Sequence, residues 1–336
     1  MAKERLLSTE AIPEDSSSNS ISLRPDNLTK YIGQKELKDK LKIALEAATQ
    51  RKEPFDHLLL HGPPGLGKTT IAHLIANKLN TRAWVTSGPA LNKPSDLLGT
   101  LTRMQPRDIL FIDEIHRLPT TIEEYLYPAM EDFKIDFTLD SGMHARVVTY
   151  DLNPFTLIGA TTRAGLLSGP LRSRFGLNHH FNFYTNEELT EIILNASSQL
   201  NLQISKSIAS IIAQRSRGTP RITLRLLKRV RDYAQVMQNG KIDHVCIEKS
   251  LALEGIDEKG LDQLDRNYLK VLKNIYNNGP AGLEAIAASL GEDSRTIEDL
   301  VEPYLLQKGL IARTRQGRLI PLNEASNKAK EPDSLF

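Results

Sequence analysis

The residues whose types and spacing point most directly to chemistry lie in "HGPPGLGKTT", residues 61–70. Gly62, Gly67, Lys68 and Thr69 fit the pattern G-x-x-x-x-G-K-[ST], in which glycines let backbone N–H groups turn inward around phosphate oxygens. The lysine of this pattern reaches the β and γ phosphates, and the threonine offers its hydroxyl to Mg²⁺. The sequence therefore predicts a nucleoside triphosphate site that also includes Pro63, Pro64, Gly65, Leu66 and Thr70.

A second set of chemically competent residues ends the apolar run in "ILFIDEIH", where Asp113 and Glu114 are adjacent. We expect Asp113 to hold a hydrated Mg²⁺, and Glu114 to orient and deprotonate the attacking water. Together with the phosphate loop, this pair predicts a Mg²⁺-dependent nucleoside triphosphate hydrolase. Phosphoryl transfer, as in a kinase, is the alternative chemistry, but the sequence shows no acceptor pocket.

The elements that must position these residues alternate along the first half of the chain. Short apolar runs occur at "DHLLLHG", "RAWVTS", "DILFID", "PFTLIGAT" and "HHFNF" (179–183), mostly with helix-like stretches between them. Such alternation predicts an α/β domain in which helices cover both faces of a parallel sheet. The phosphate loop would then join a buried strand to a helix whose N-terminal end favours negative charge.

From Thr185 onward the pattern becomes helical. Thr185 and Glu188 form a capping box, and further helices are predicted over 205–216, 220–238 and 243–253. Three more helices, over 262–276, 283–291 and 294–309, and a basic hairpin in "LIARTRQGRLIPL" are typical of a winged helix-turn-helix. The predicted organisation is a tail (1–20), a P-loop domain (21–184) with a β-hairpin at 132–152, an all-α domain (185–256), a winged helix (257–322) and a second tail (323–336).

Composition restricts the class of protein. The 336 residues are 40% hydrophobic, enough for more than one core, and the net charge of +2 neither favours nor excludes nucleic acid. The single cysteine, Cys246, excludes an internal disulfide, and we expect it to be a small buried side chain. No run approaches the roughly 18 apolar residues of a membrane helix, and the N-terminus lacks the pattern of a secretory signal. These features indicate a cytoplasmic protein.

The five motifs "GPPGLGKTT", "FIDEIH", "GATTR", "LRSRFG" and "RGTPR", in that order, resemble the AAA+ ATPases and more narrowly the RuvB family of Holliday-junction branch-migration motors. The likeness extends from "LRPDNLTKYIGQ" to "GRLIPL". It implies ATP and Mg²⁺ as ligands, a hexameric ring, and a role in homologous recombination and DNA repair on branched duplex DNA. It also implies a RuvA-type junction-binding partner and a RuvC-type resolvase at the same junction.

The resemblance assigns roles to further residues around the triphosphate. Thr162, with Thr161 as the near alternative, matches the sensor of the γ-phosphate. Arg174, with Arg172 as its alternative, matches an arginine finger presented to the ATP of a neighbouring subunit, and Arg221 matches a second sensor. Other nucleotide contacts implied by the resemblance are Leu23, Arg24, Tyr31, Ile32, Glu131, Asp132, Phe133 and Tyr184.

Two interaction surfaces are implied in the same way. The hairpin at 132–152 matches the docking element for the RuvA-type partner; its tip, Met143 and His144, is less apolar than the family's. In the winged helix, Arg313 and Arg318 match basic residues that meet DNA phosphates, and Arg295 is a further candidate contact.

The wing also departs from the family pattern. Its turn "TRQG" replaces the usual Thr-Pro-Arg-Gly, because Arg315 stands in place of the proline and Gln316 in place of the following arginine. The number of basic residues is kept while the turn geometry changes.

Two other functions remain open on the sequence alone. A clamp loader or initiator ATPase would share the phosphate loop and the arginine finger, although the winged helix directly after the lid and the long hairpin favour the motor. A DNA-binding regulator that uses ATP only as a structural ligand would not need Glu114. The basic run Arg225, Lys228, Arg229 and Arg231 is interpreted as a solvated helix face rather than a DNA-binding stripe.

Overall fold

The fold is given by a computed structural model that describes residues 23–138 and 147–321. The strands of its first part are β1 (Leu58–His61), β2 (Ala83–Ser87), β3 (Ile109–Asp113), β4 (Lys134–Thr138), β5 (Val147–Asp151), β6 (Thr156–Thr161) and β7 (Leu177–His180). Five of them form one sheet in the order β2-β3-β6-β1-β7, and every neighbouring pair is parallel. This confirms the predicted parallel sheet.

Helices accompany this sheet in the order expected for alternating strands and helices. They are α1 (Lys35–Arg51), α2 (Lys68–Leu79), α3 (Pro94–Leu101), α4 (Thr120–Glu131) and α5 (Gly169–Ser173). Leu110, Ile112 and Leu157 share a core with residues of α3 and α4, while the alternate residues Phe111 and Ile158 are also fully buried. Because successive strand residues point to opposite faces, burial of both sets shows that both faces of the sheet are covered.

One predicted strand is misplaced. The run 179–183 was expected to be extended, but the edge strand β7 ends at His180 and begins earlier, at Leu177. The bounds of β7 follow from its pairing with β1, in which Leu58 lies opposite Leu177 and His61 opposite His180. An edge strand has one pairing partner, so its bounds depend on that neighbour more than on its own apolar residues.

The predicted hairpin is present where the chain is described. β4 and β5 pair antiparallel, with Lys134 opposite Asp151 and Thr138 opposite Val147. Its expected tip, Met143 and His144, lies outside the described residues. Both predicted tails, 1–20 and 323–336, lie outside them as well.

The helical region contains α6 (Asn186–Gln199), α7 (Lys206–Gln214), α8 (Pro220–Met237) and α9 (His244–Leu253). The capping box at the start of α6 is confirmed: the Glu188 N–H donates to Thr185 Oγ1 at 3.2 Å, and the Thr185 N–H donates to Glu188 Oε2 at 2.8 Å. Cys246 is buried in α9 as a free thiol, as expected.

The last part of the chain has the elements of a winged helix. They are α10 (Gln263–Asn274), α11 (Leu283–Leu290), α12 (Ser294–Thr296), a π-helical turn (Ile297–Val301), α13 (Glu302–Gln307), and the antiparallel strands β8 (Ala312–Thr314) and β9 (Gly317–Leu319). The sequence predicted one continuous helix over 294–309. The π-helical turn interrupts it just before Pro303, which lacks an N–H and whose ring crowds the carbonyl four residues earlier.

The chain divides into two compact units. One contains 23–202 of the described residues together with Gly218–Arg221, and so includes the sheet and α6. The other contains Gln203–Arg217 and the described residues from Ile222 onward. The predicted boundary between the ATPase domain and the lid at 184/185 stays a prediction. Across 23–138 and 147–321, no helix is both long and apolar enough to cross a membrane.

Candidate functional site

The candidate catalytic residues meet at the carboxyl edge of the sheet. β1, β6 and β3 are neighbours, and each is followed at that edge by a polar or glycine-rich segment. Gly62 follows β1, Asp113 ends β3, and Thr162 follows β6. Ligands of open parallel sheets bind at this edge, so the fold brings together residues that lie far apart in the sequence.

The phosphate loop is shaped by glycine and by the start of α2. Gly62 has a φ of 136°, and a Cβ there would lie 2.8 Å from the Phe181 carbonyl oxygen, so only glycine fits. α2 begins at Lys68 without a side-chain cap on its first turn. Its first N–H groups are therefore available to an anion. Of the remaining predicted loop residues Leu66 is buried, while Pro63, Pro64, Gly65, Gly67, Thr69 and Thr70 are half-buried.

Lys68 is a buried cation that lacks a full counter-charge. Its Nζ donates to the carbonyls of Gly62 and Pro63, both at 2.8 Å. Burial lowers the pKa of the Lys68 ammonium from its ordinary 10.5 to about 8, although the carboxylates of Asp113 and Glu114 oppose the shift. A triphosphate bound beside Lys68 would supply the missing negative charge.

Asp113 has the environment of a cation ligand. Burial, and then repulsion from Glu114, raises the pKa of the Asp113 carboxyl, so its ionised form would gain from a nearby cation. Thr69 and Asp113 supply a hydroxyl and a carboxylate, the hard oxygen donors that Mg²⁺ takes alongside substrate phosphates and water. In the described part of the chain no group of three or more His, Cys, Asp or Glu could hold a metal by itself. The donor set therefore fits a Mg²⁺ that arrives with the nucleotide.

The Glu114 carboxylate accepts a hydrogen bond from the predicted sensor, which directly follows β6. Thr162 Oγ1 donates to Glu114 Oε2 at 3.2 Å, whereas the fully buried Thr161 has its hydroxyl 2.8 Å from His116 Nδ1. The half-buried Thr162 is thus the one whose hydroxyl reaches the candidate base. This arrangement favours Thr162 over Thr161 as the residue that senses phosphate.

His116 belongs to this site and was not singled out from the sequence. Its Nδ1 lies 3.1 Å from Glu114 Oε2 as well as near Thr161. Burial lowers the pKa of the His116 imidazole and so favours its neutral form, although Glu114 opposes the shift. The signal was its place two residues after Glu114 in "DEIH", but its contact with the neighbouring strand could not be read from that spacing.

Two tyrosines of the predicted base-binding set touch the phosphate loop. The hydroxyls of Tyr31 and Tyr184 lie 2.8 Å apart, and both are within reach of the Leu66 carbonyl, at 3.4 Å and 3.2 Å. Burial raises the pKa of both hydroxyls. Of the other predicted contacts Leu23 and Ile32 are half-buried and Arg24 is exposed.

Arg221 also meets the loop. Its backbone N–H donates to the Gly65 carbonyl at 3.3 Å. Its guanidinium is close enough to oppose the protonation of Lys68 and to favour the ionised form of Asp113. This position is compatible with the predicted second sensor.

The predicted arginine finger lies at the opposite, amino edge of the sheet. Arg174 precedes the start of β7, and its Nη2 lies 3.1 Å from Glu131 Oε2. Next to Glu131, the Met130 carbonyl accepts a hydrogen bond from His57 Nε2 at 3.0 Å, and His57 directly precedes β1. A strand rises about 3.3 Å per residue, so His57 and Gly62 are about 16 Å apart.

Glu131, Asp132 and Phe133 lie with Arg174 rather than with the phosphate loop of their own chain. Phe133 packs edge-to-face on Phe155, just before β6, with ring centroids 6.0 Å apart. Glu131 and Asp132 are exposed. Arg172, the alternative finger, is exposed as well, whereas only 20% of the Arg174 side chain is exposed.

The wing arginines make an interaction that sequence spacing did not reveal. Arg313 Nε and Arg318 Nε donate to the two oxygens of Glu302, at 2.7 Å and 2.8 Å, and Glu302 is fully buried. The third candidate DNA contact, Arg295, is exposed near the start of α12.

The basic run on α8 is not a uniformly solvated face. Arg225 is buried, which corrects the interpretation of this residue as part of a solvated surface. Lys228, Arg229 and Arg231 are half-buried, and Arg229 and Arg231 both contact Asp232.

Three family models match successive parts of the chain. Residues 23–181 match the Holliday junction DNA helicase RuvB P-loop domain, residues 184–257 match the RuvB AAA lid domain, and residues 258–324 match the RuvB C-terminal winged helix domain.

Whole-chain relatives agree with these matches. The chain is 54% identical over 305 residues to the Holliday junction branch migration complex subunit RuvB of Desulfosudis oleivorans, which covers 91% of this chain and 89% of the relative. It is 52% identical over 323 residues to the protein of the same name from Synechocystis, covering 94% and 90%. The solved Thermotoga maritima RuvB Holliday junction branch migration motor is similar with a TM-score of 0.81 and 49% identity, over 92% of this chain and 99% of that structure.

Proposed function

Because the chain belongs to the RuvB family, we propose that it is an ATP-driven motor that moves the branch point of Holliday junctions during homologous recombination and DNA repair. One observation carries the proposal. Lys68, Asp113, Glu114 and Thr162 converge at the carboxyl edge of the sheet, while Arg174 lies at the amino edge of the same sheet. The first set forms a hydrolytic site, and the separation of Arg174 implies a neighbouring subunit.

The chemistry follows from the groups at the carboxyl edge. The uncapped start of α2 and Lys68 bind the β and γ phosphates. Thr69 and Asp113 would hold Mg²⁺, which neutralises charge on those phosphates when it is bound. Glu114 accepts a proton from the attacking water, and Thr162 places that carboxylate. Arg221 adds positive charge close to the loop.

Arg174 completes the site of the next subunit. The Arg174 guanidinium is held beside Glu131 at the amino edge, away from the phosphate loop of its own chain, and a head-to-tail contact would bring it to a neighbour's carboxyl edge. The same contact would deliver Glu131, Asp132 and Phe133 to that nucleotide. A closed ring of such contacts, which we propose to be a hexamer, would make hydrolysis depend on assembly.

The winged helix would contact duplex DNA through its phosphates, since a branch-migration motor must pass any sequence. We propose that the hairpin β4–β5 docks a RuvA-type junction-binding protein, that a RuvC-type resolvase acts at the same junction, and that the motor works in the cytoplasm. A junction-unwinding assay with and without a RuvA-type protein tests the docking. Equal rates in both conditions would count against it.

The clamp-loader and regulator alternatives are set aside. The matched lid and winged-helix families are both those of RuvB, and they account for residues 184–324. No feature of the described residues favours either alternative.

The ATPase assignment is tested by Glu114→Gln, which keeps the size of the side chain and removes its basicity. We expect kcat for ATP hydrolysis to fall by a factor of about 10²–10⁴, because general-base catalysis contributes that much, while nucleotide affinity is retained. Phosphate release at saturating Mg·ATP and titration with a fluorescent nucleotide measure the two quantities. Glu191→Gln, on the exposed face of α6, is the matched control. Unchanged turnover in Glu114→Gln would show that ATP is only a structural ligand.

A further inference from the structure

The wing hairpin, formed by β8 and β9, is bound through two arginines to one buried carboxylate, that of Glu302. Glu302 Oε1 accepts hydrogen bonds from the Tyr268 hydroxyl at 3.0 Å and from Arg318 Nε at 2.8 Å, while Oε2 accepts from Arg313 Nε at 2.7 Å. Burial and the adjacent carboxylate raise the pKa of the Tyr268 hydroxyl, which therefore remains a donor. Glu302 is fully buried, so its charge depends on these three donors.

The positive and negative charges around Glu302 are equal in number. Arg313 and Arg318 are two cations, and Glu298 joins Glu302 as a second carboxylate, 3.7 Å from Arg313 and 4.0 Å from Arg318. Only 17% of the Arg318 side chain is exposed, against 41% for Arg313. Guanidinium groups that already neutralise two carboxylates offer little net positive charge to a phosphate, and Arg318 has little surface to offer.

Arg315 differs from both. It occupies, with Gln316, the turn between β8 and β9, where Thr314 pairs with Gly317. Its side chain is exposed, and within 23–138 and 147–321 it makes no ion pair or side-chain hydrogen bond. It is therefore the uncompensated positive charge at the tip of the wing hairpin.

We propose that Arg315 is the wing's principal contact to DNA backbone phosphate, and that Glu302 and Arg318 are positioning residues that hold the hairpin so that Arg315 projects from it. This inference rests on the proposed function, since it names the contact through which the motor's winged helix meets duplex DNA. A single solvated guanidinium at a hairpin tip can meet any phosphate and reads no base. The contact would thus serve every sequence that passes the motor.

The test is the salt dependence of DNA binding by the full chain with Mg²⁺ and a non-hydrolysable ATP analogue. Fluorescence anisotropy with two labelled duplexes of unrelated sequence gives the affinity between 50 and 200 mM salt. Arg315→Ala should lower the slope of log affinity against log salt by about one on both duplexes. Over that fourfold range the unaltered protein should lose about fourfold more affinity than the variant. Arg315→Lys should keep the slope, and Gln316→Ala, which alters the same turn without a charge change, should behave as the unaltered protein.

Arg318→Ala separates positioning from contact. We expect it to lower the Tm of the protein by several degrees, because Glu302 loses a partner while buried, whereas Arg315→Ala should leave the Tm unchanged. An Arg315→Ala protein with unaltered affinity and slope would overturn the inference and leave the motor assignment intact, as would an Arg318→Ala protein with unaltered Tm and a slope reduced by about one. Failure of the unaltered protein to bind either duplex at the lowest salt would overturn the proposed function as well.

Discussion

At the scale of single residues, Glu114 combines an unusual backbone with a fixed side chain. Its φ of 48° and ψ of 46° are left-handed, a conformation that non-glycine residues rarely adopt and that tends to occur at functional sites. Its N–H donates to Asp113 Oδ1 at 3.0 Å. The left-handed turn at Glu114 ends the alternation of side chains between the two faces of β3. The adjacent carboxylates of Asp113 and Glu114 can therefore serve a cation and a water at the same edge of the sheet.

His116 lies between the Glu114 carboxylate and the end of β6. His116 Nδ1 lies 3.1 Å from Glu114 Oε2, and its hydrogen-bond partner is the Thr161 hydroxyl at 2.8 Å. His116→Ala removes this polar side chain from beside the candidate base, and we expect kcat for ATP hydrolysis to fall by about tenfold or more while KM stays within about a factor of two. Steady-state kinetics at saturating Mg²⁺ measures both constants.

The conservative variant distinguishes positioning from folding. His116→Asn places an amide group near the position of Nδ1, where it can bond the Thr161 hydroxyl, and should recover most of kcat. If His116→Asn were as slow as His116→Ala although both kept the Tm of the unaltered protein, the positioning role of His116 would be refuted.

At the scale of elements, the sequence predicted what depends on local pattern. The first four apolar runs became β1, β2, β3 and β6, and the polar residues at their ends marked the carboxyl edge. The phosphate loop and the "DE" pair were visible because their spacing is local. The pairs Arg174 with Glu131 and Arg318 with Glu302 were not visible, because each joins elements whose proximity depends on tertiary packing rather than on spacing.

His57 joins two such elements. The Leu157 N–H of β6 donates to His57 Nδ1 at 2.9 Å, so Nε2 carries the proton that the Met130 carbonyl accepts. Both bonds require the neutral imidazole, and burial lowers the pKa of His57 from its ordinary 6.5. Unfolded chains then bind more protons below about pH 6.5, so this contribution to stability is complete above pH 6.5 and is lost as the pH falls.

His57→Gln should therefore lower the free energy of unfolding at pH 7.5 by about 1–2 kcal/mol, since two hydrogen bonds lose their geometry. It should also reduce the further loss between pH 7.5 and 5, because the titrating group is gone. Denaturation followed by circular dichroism at each pH measures both effects, and hydrogen exchange of the Leu157 amide assigns them to β6. His244→Gln, an exposed histidine in α9, is the control. A pH dependence that is identical with and without His57 would contradict this role.

At the scale of the whole molecule, the proposed arginine finger lies at the opposite edge of the sheet from the phosphate loop. The carboxyl edge has the phosphate loop, Asp113 and Glu114, and the amino edge has Arg174. Two such edges can complete each other only through a head-to-tail contact between copies, and repetition of that contact gives a ring. Assembly and catalysis would then be a single property of the ring.

Rings assembled from two variants test whether Arg174 acts on the nucleotide of a neighbouring subunit. Each single variant inactivates a different side of the same subunit junction. Lys68→Ala and Arg174→Ala proteins should each be nearly inactive alone. In an equal mixture, an intact loop meets an intact Arg174 at one junction in four, so about a quarter of the unaltered rate per site should return if the subunits exchange freely. Phosphate release across mixing ratios measures the recovery, and a protein with both substitutions, mixed with either single variant, should rescue nothing. If Arg174 acted within its own chain, no ratio would exceed the sum of the two separate rates, since every chain in the mixture carries one defect.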